Sequence, residues 1–65
     1  MTDFYKNISS CIEEEQDGNN KYMMLAAEAP TEKAKKILTD MAKEEERHKE
    51  FLIEIMSDME SANSK

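Results

Sequence analysis

The stretch Glu28-Ala29-Pro30-Thr31-Glu32 decides the fold. Pro30 is the one proline of the chain, and a proline disfavours helical geometry in the residue before it, here Ala29. Thr31 carries a hydroxyl suited to accept a hydrogen bond from the free N–H groups at a helix start. Glu32 sets a negative charge at the positive end of the same helix. The stretch therefore reads as helix, turn, helix. Working outward, one helix is expected over residues 3–28, a turn over 29–31, a second helix over 31–59, and a frayed polar tail over 60–65. The expected architecture is a single all-α domain over 1–65, an antiparallel two-helix hairpin.

Both segments carry residues at spacings of four and three. In the first these are Phe4, Ile8, Cys11, Glu15, Gly18, Tyr22, Leu25 and Ala29. In the second they are Ala34, Ile37, Met41, Glu45, His48, Leu52, Ile55 and Met59. That period is helical, and each stripe is read as a core-facing seam. The segment Gln16-Asp17-Gly18-Asn19-Asn20 resists. Gly, Asp and two Asn are poor in a helix interior and together cost about 2–3 kcal/mol relative to alanine. The stripe keeps its phase across them, so a continuous helix is expected, with Gly18 leaving room for a helix to approach.

Sixty-five residues bury too little surface for comfortable stability, and small scaffolds usually add a disulfide, a metal or a partner subunit. Cys11 is the only cysteine, which excludes an internal disulfide. Metal, oligomerisation or both must supply the remainder. With 15 acidic and 9 basic residues the net charge is −6, a surface that repels nucleic acid and anionic lipid and attracts cations. The longest apolar run, Tyr22 to Ala27, is far short of a membrane span. With no secretory pattern at the N-terminus, the expected location is the cytoplasm.

Glu15, Glu45 and His48 are polar residues on apolar stripes. An ionised carboxylate is rarely buried without a partner, and one left unpaired costs several kcal/mol. Glu15 and Glu45 lie fifteen residues to either side of Pro30. At 1.5 Å per residue both stand about 22 Å from the turn and so face each other. Glu45 and His48 are i, i+3 neighbours on one helix face. Two carboxylates and an imidazole thus converge, which is half of the di-iron carboxylate constellation of bundle proteins: one Glu from each of two helices and a Glu-x-x-His pair from each of the other two. Two hairpins about a two-fold axis would supply all six ligands and complete the apolar core. Carboxylate oxygens with imidazole suit iron, with manganese or zinc as substitutes. Against this stands the fact that a lone Glu-x-x-His is common on solvated helix faces. The opposing reading is a metal-free helical oligomerisation or adaptor module.

Two stretches carry a resemblance. Glu15-Gln16-Asp17-Gly18-Asn19-Asn20-Lys21-Tyr22 and Glu44-Glu45-Glu46-Arg47-His48 resemble the ligand-bearing helices of the rubrerythrin and ferritin-like superfamily. The single short hairpin is most similar to the encapsulated ferritins. The resemblance implies a hairpin that dimerises into a ferritin-like four-helix bundle with a di-iron centre. Glu15 and Glu45 map onto bridging or terminal carboxylate ligands, His48 onto a terminal ligand, and Tyr22 onto the tyrosine that packs near the metals. It further implies a homodimer, or a ring of dimers, stored in an encapsulin shell. Two departures stand out. One cysteine cannot make the four-cysteine rubredoxin domain that rubrerythrins append, and residues 57–65 show no Gly- and Leu-rich targeting peptide.

The expected activity is that of a ferroxidase, oxidising Fe²⁺ with O₂ or peroxide for iron sequestration or detoxification. Glu15, Glu45, His48 and Tyr22 form the catalytic set. Peroxide reduction with an external electron donor is a further alternative. Glu14 and Asp17 are candidates to guide Fe²⁺ toward the centre, although charged residues flanking a ligand are ordinarily a solvated face. Of the six methionines, Met23, Met41, Met56 and Met59 read as core filler, and Cys11 reads as a small apolar residue.

Overall fold

The turn forms where the proline places it. In the computed structural model, which describes residues 3–63, helix α1 spans Asp3–Glu28 and helix α2 spans Glu32–Asn63. The Ala29 N–H closes the end of α1 on the Ala26 carbonyl at 3.2 Å. Thr31 caps α2: its Oγ1 accepts from the Ala34 N–H at 3.1 Å, and its carbonyl accepts from the Lys35 N–H at 3.0 Å. The described residues are all helix apart from this connection, and no helix among them is long and apolar enough to cross a membrane.

The second helix runs further than the sequence reading placed it. Residues 60–63 are helical rather than frayed, and 64 and 65 lie outside the described residues. Asp58-Met59-Glu60-Ser61-Ala62-Asn63 contains no glycine or proline to stop the helix. The Tyr5 hydroxyl also donates to Glu60 Oε1 at 3.1 Å, which ties the last turns of α2 to the start of α1.

The hairpin is a rod, 52 × 15 × 11 Å, and it has almost no interior. Only Ala26 and Ala42, 4 % and 1 % exposed, are buried among the described residues. These small side chains let the two helices come close, and Asn19 Nδ2 donates across the seam to the Ala42 carbonyl at 2.7 Å. The poor helix formers of α1 are thus used for contacts between helices. Beside Asn19, Gln16 donates to Asn20 Oδ1 at 3.0 Å and accepts from Lys49 Nζ at 2.5 Å. α1 is continuous through them.

The stripes read from sequence divide in two. Ile8, Glu15, Tyr22 and Ala29 in α1 and Ala34, Glu45, Leu52 and Met59 in α2 are half-buried, together with Ile12, Asn19, Leu38 and Met56 one position round the helix. Phe4, Cys11, Leu25, Ile37, Met41, His48 and Ile55 are exposed, which corrects the reading of each whole stripe as a covered seam. The reason is geometric. An apolar stripe more than 100° wide exceeds what a single neighbouring helix can cover, so one flank packs inside the hairpin and the other stays open along its length.

Candidate metal centre

Glu15 from α1 and Glu45 and His48 from α2 meet at the seam, the two carboxylates half-buried and the imidazole exposed. One ligand atom from each lies within 4.8 Å of the other two, the only such group of three or more His, Cys, Asp or Glu among the described residues. His48 Nδ1 stands 3.4 Å from Glu15 Oε2, and its Nε2 stands 4.0 Å from Glu44 Oε2. The imidazole therefore lies between the cluster and a flanking carboxylate. Its side chain is 51 % exposed against 23 % for Glu15, so the group is closed on the hairpin side and open on the other.

The Glu15 carboxylate is the least satisfied member. Its Oε2 is buried and has no hydrogen-bond partner among the described residues, the kind of group that native structures rarely leave unsatisfied without a functional reason. Glu45 responds to it. Hydrogen bonding to Glu15, followed by burial and the negative charge of Glu15, raises the Glu45 carboxyl above its ordinary 4.5, while His48 draws it down by less. Two carboxyls this close hold either a shared proton or a cation. An orphaned oxygen, a second carboxylate and an imidazole nitrogen, all hard or borderline donors, fit a divalent iron, manganese or zinc ion.

Gly18 shapes the site from α1. No described residue has a positive φ, so this glycine meets no backbone demand. What it supplies is space. A Cβ built there would stand 2.5 Å from Glu45 Oε2, 3.1 Å from its Cδ and 3.5 Å from its Cγ. The space foreseen for an approaching helix is occupied by the carboxylate of Glu45 from the same chain. Sequence reasoning also missed the crossing bonds of Asn19 and Gln16 and the position of Glu44 beside His48. The polar run 16–20 inside an otherwise good helix was the available signal.

Tyr22, half-buried, lies two turns from Glu15 on α1, about 10 Å along the axis. Glu14 and Asp17 are exposed on the flanks of Glu15. Cys11 is exposed rather than tucked into the seam, because it falls on the open flank of the stripe.

An antiparallel helical hairpin that gathers two carboxylates and an imidazole at its seam has the layout of the ferritin-like class of helical proteins. Within that class the chain is a member of the rubrerythrin family, whose family model, described as Rubrerythrin, matches residues 6–65. The family typically binds a di-iron centre. No curated protein and no solved structure matches the chain.

Proposed function

We propose that two copies of this hairpin pair through their open faces and that the paired protein is a ferroxidase, with Fe²⁺ as substrate. The observation that carries the reading is the Glu15–Glu45–His48 cluster, whose buried Glu15 Oε2 has no hydrogen-bond partner among the described residues, beside an exposed apolar flank. One chain supplies half of the ligand set of a carboxylate bundle. A two-fold axis along the open face would supply the other half and cover Phe4, Leu25, Ile37, Met41 and Ile55.

Glu15 and Glu45 would hold two metal ions by charge and favour the trivalent over the divalent state. His48 would hold one through a ring nitrogen. Glu45 ligates only as the carboxylate, so an ion there competes with protonation of that carboxyl. Tyr22 lines the seam between the cluster and the turn. When bound, two Fe²⁺ each give up one electron, and one O₂ takes both with two protons to leave as H₂O₂. The acidic surface favours the approach of cations.

The test is anaerobic loading with Fe²⁺ followed by rapid mixing with O₂. Wild type should oxidise Fe²⁺ faster than buffer alone, while His48→Ala should stay helical and lose the activity. Full activity in that variant would remove His48 from the site. Membership of the rubrerythrin family favours a second reading, peroxide reduction with an external electron donor. Oxidation much faster with H₂O₂ than with O₂ would select it. A melting curve unmoved by saturating Fe²⁺ would favour a metal-free adaptor over both, since binding to the folded state raises apparent stability.

A further inference from the structure

Gly18 is a costly residue in the middle of a 26-residue helix. It has no left-handed torsion to justify it, and it lies outside the Glu15–Glu45–His48 group. Its α-carbon instead faces the end of the Glu45 side chain, where a methyl group would fall 2.5 Å from Oε2 and 3.1 Å from Cδ. Real Cβ atoms do not approach an oxygen so closely. The obstructed atoms are the far end of a flexible side chain, with no backbone among them. An added methyl group would therefore displace the carboxylate and leave the helices in place.

We propose that Gly18 is a positioning residue: the space at its α-carbon holds the Glu45 carboxylate against Glu15, where both can ligate the same ions. The proposal rests on the metal-centre reading above. Asn19 fixes the depth of the socket, because its bond to the Ala42 carbonyl, one turn before Glu45 on α2, sets the axial register of the helices. Without that bond the gap at Gly18 would not stay opposite the same side chain. Gln16 and Lys49 hold the neighbouring turn, at 2.5 Å. Gly18 and Asn19, two of the weakest helix formers in α1, thus serve one purpose, to bring a carboxylate from α2 to a fixed place.

An ordinary interior glycine and this socket respond in opposite ways to Gly18→Ala. Alanine is the better helix former, so an ordinary glycine would give a more stable protein with unchanged metal binding. The socket predicts a protein whose melting temperature is equal or higher, whose affinity for Co²⁺ falls by about tenfold or more, and whose Co²⁺ visible absorption changes because one carboxylate has left the ligand set. Ser10→Ala, which improves the helix on an exposed face, should leave both the affinity and the spectrum unchanged.

A second measurement needs no metal. In a double-mutant cycle on the metal-free protein, Gly18→Ala should raise the urea midpoint more in a Glu45→Ala background than in wild type, since the displaced side chain is then gone. Unchanged Co²⁺ affinity and spectrum in Gly18→Ala would overturn the proposal. So would additivity in the cycle, or loss of helix in Gly18→Ala by circular dichroism. If wild type itself binds no Co²⁺, the metal-centre reading fails, while the cycle still reports whether Gly18 positions Glu45.

Discussion

Ile37 offers the sharpest test of pairing. It lies on the open flank of α2 and is 49 % exposed in the hairpin. Full burial of such a side chain is worth about 1.5–3 kcal/mol, so covering the exposed half yields about 1 kcal/mol per chain. A two-fold axis uses the residue twice, giving about 2 kcal/mol per dimer, or about 30-fold in the dissociation constant. Ile37→Lys removes this and adds the cost of desolvating an ammonium group, so about 30-fold is a lower bound. Lysine is the informative choice. It brings the net charge of −6 nearer to zero, so long-range repulsion between chains falls and works against the predicted outcome. It is also a good helix former on an outward position, so the hairpin should keep its helix content. Sedimentation equilibrium over a range of concentrations reads the constant, and circular dichroism checks the helices. Met24, 69 % exposed but off the stripe, is the control. Wild-type association in Ile37→Lys, or equal weakening by Met24→Lys, would refute the placement of the interface.

Three further outcomes follow from the geometry. The folded protein raises the Glu45 carboxyl above 4.5, so the stability this group adds is fully present below that value and is lost as pH rises through the raised one. Urea midpoints of the metal-free protein should therefore fall across that window, and the fall should be smaller in Glu45→Gln; equal slopes would contradict the assignment. The Glu60 hydrogen bond raises the Tyr5 hydroxyl above 10.0, so its contribution is present below that value and is lost at still higher pH. Tyr5→Phe should flatten the alkaline limb of the stability profile, and an unchanged limb would contradict the contact. Thr31→Ala should cost about 1 kcal/mol, which lowers the melting temperature by about 4–8 °C in a domain of this size; no change would mean that the cap contributes nothing.

Much of this arrangement could be read from the residues in advance. Pro30 and Thr31 placed the turn, and the unbroken phase from Phe4 to Ala29 carried α1 through Gly18 against local propensity. Equal distances from Pro30 brought Glu15 opposite Glu45, and i, i+3 spacing added His48. Three features escaped the reading. Periodicity gives the angle of a residue around its helix but not which neighbour covers that angle, so Ile8 and Ile37 looked equivalent although one is half-buried and the other exposed. The end of α2 depends on a contact 55 residues distant in sequence, Tyr5 with Glu60. The role of Gly18 depends on the reach of one side chain from α2, which no pattern within α1 encodes.

Native mass spectrometry of the protein loaded anaerobically with Fe²⁺ bears most directly on whether the centre is shared. The account predicts a dimer carrying two iron ions, monomers carrying none, and loss of the bound iron in His48→Ala with its helices intact. Iron held stoichiometrically by isolated monomers, or a dimer that takes up none, would contradict it.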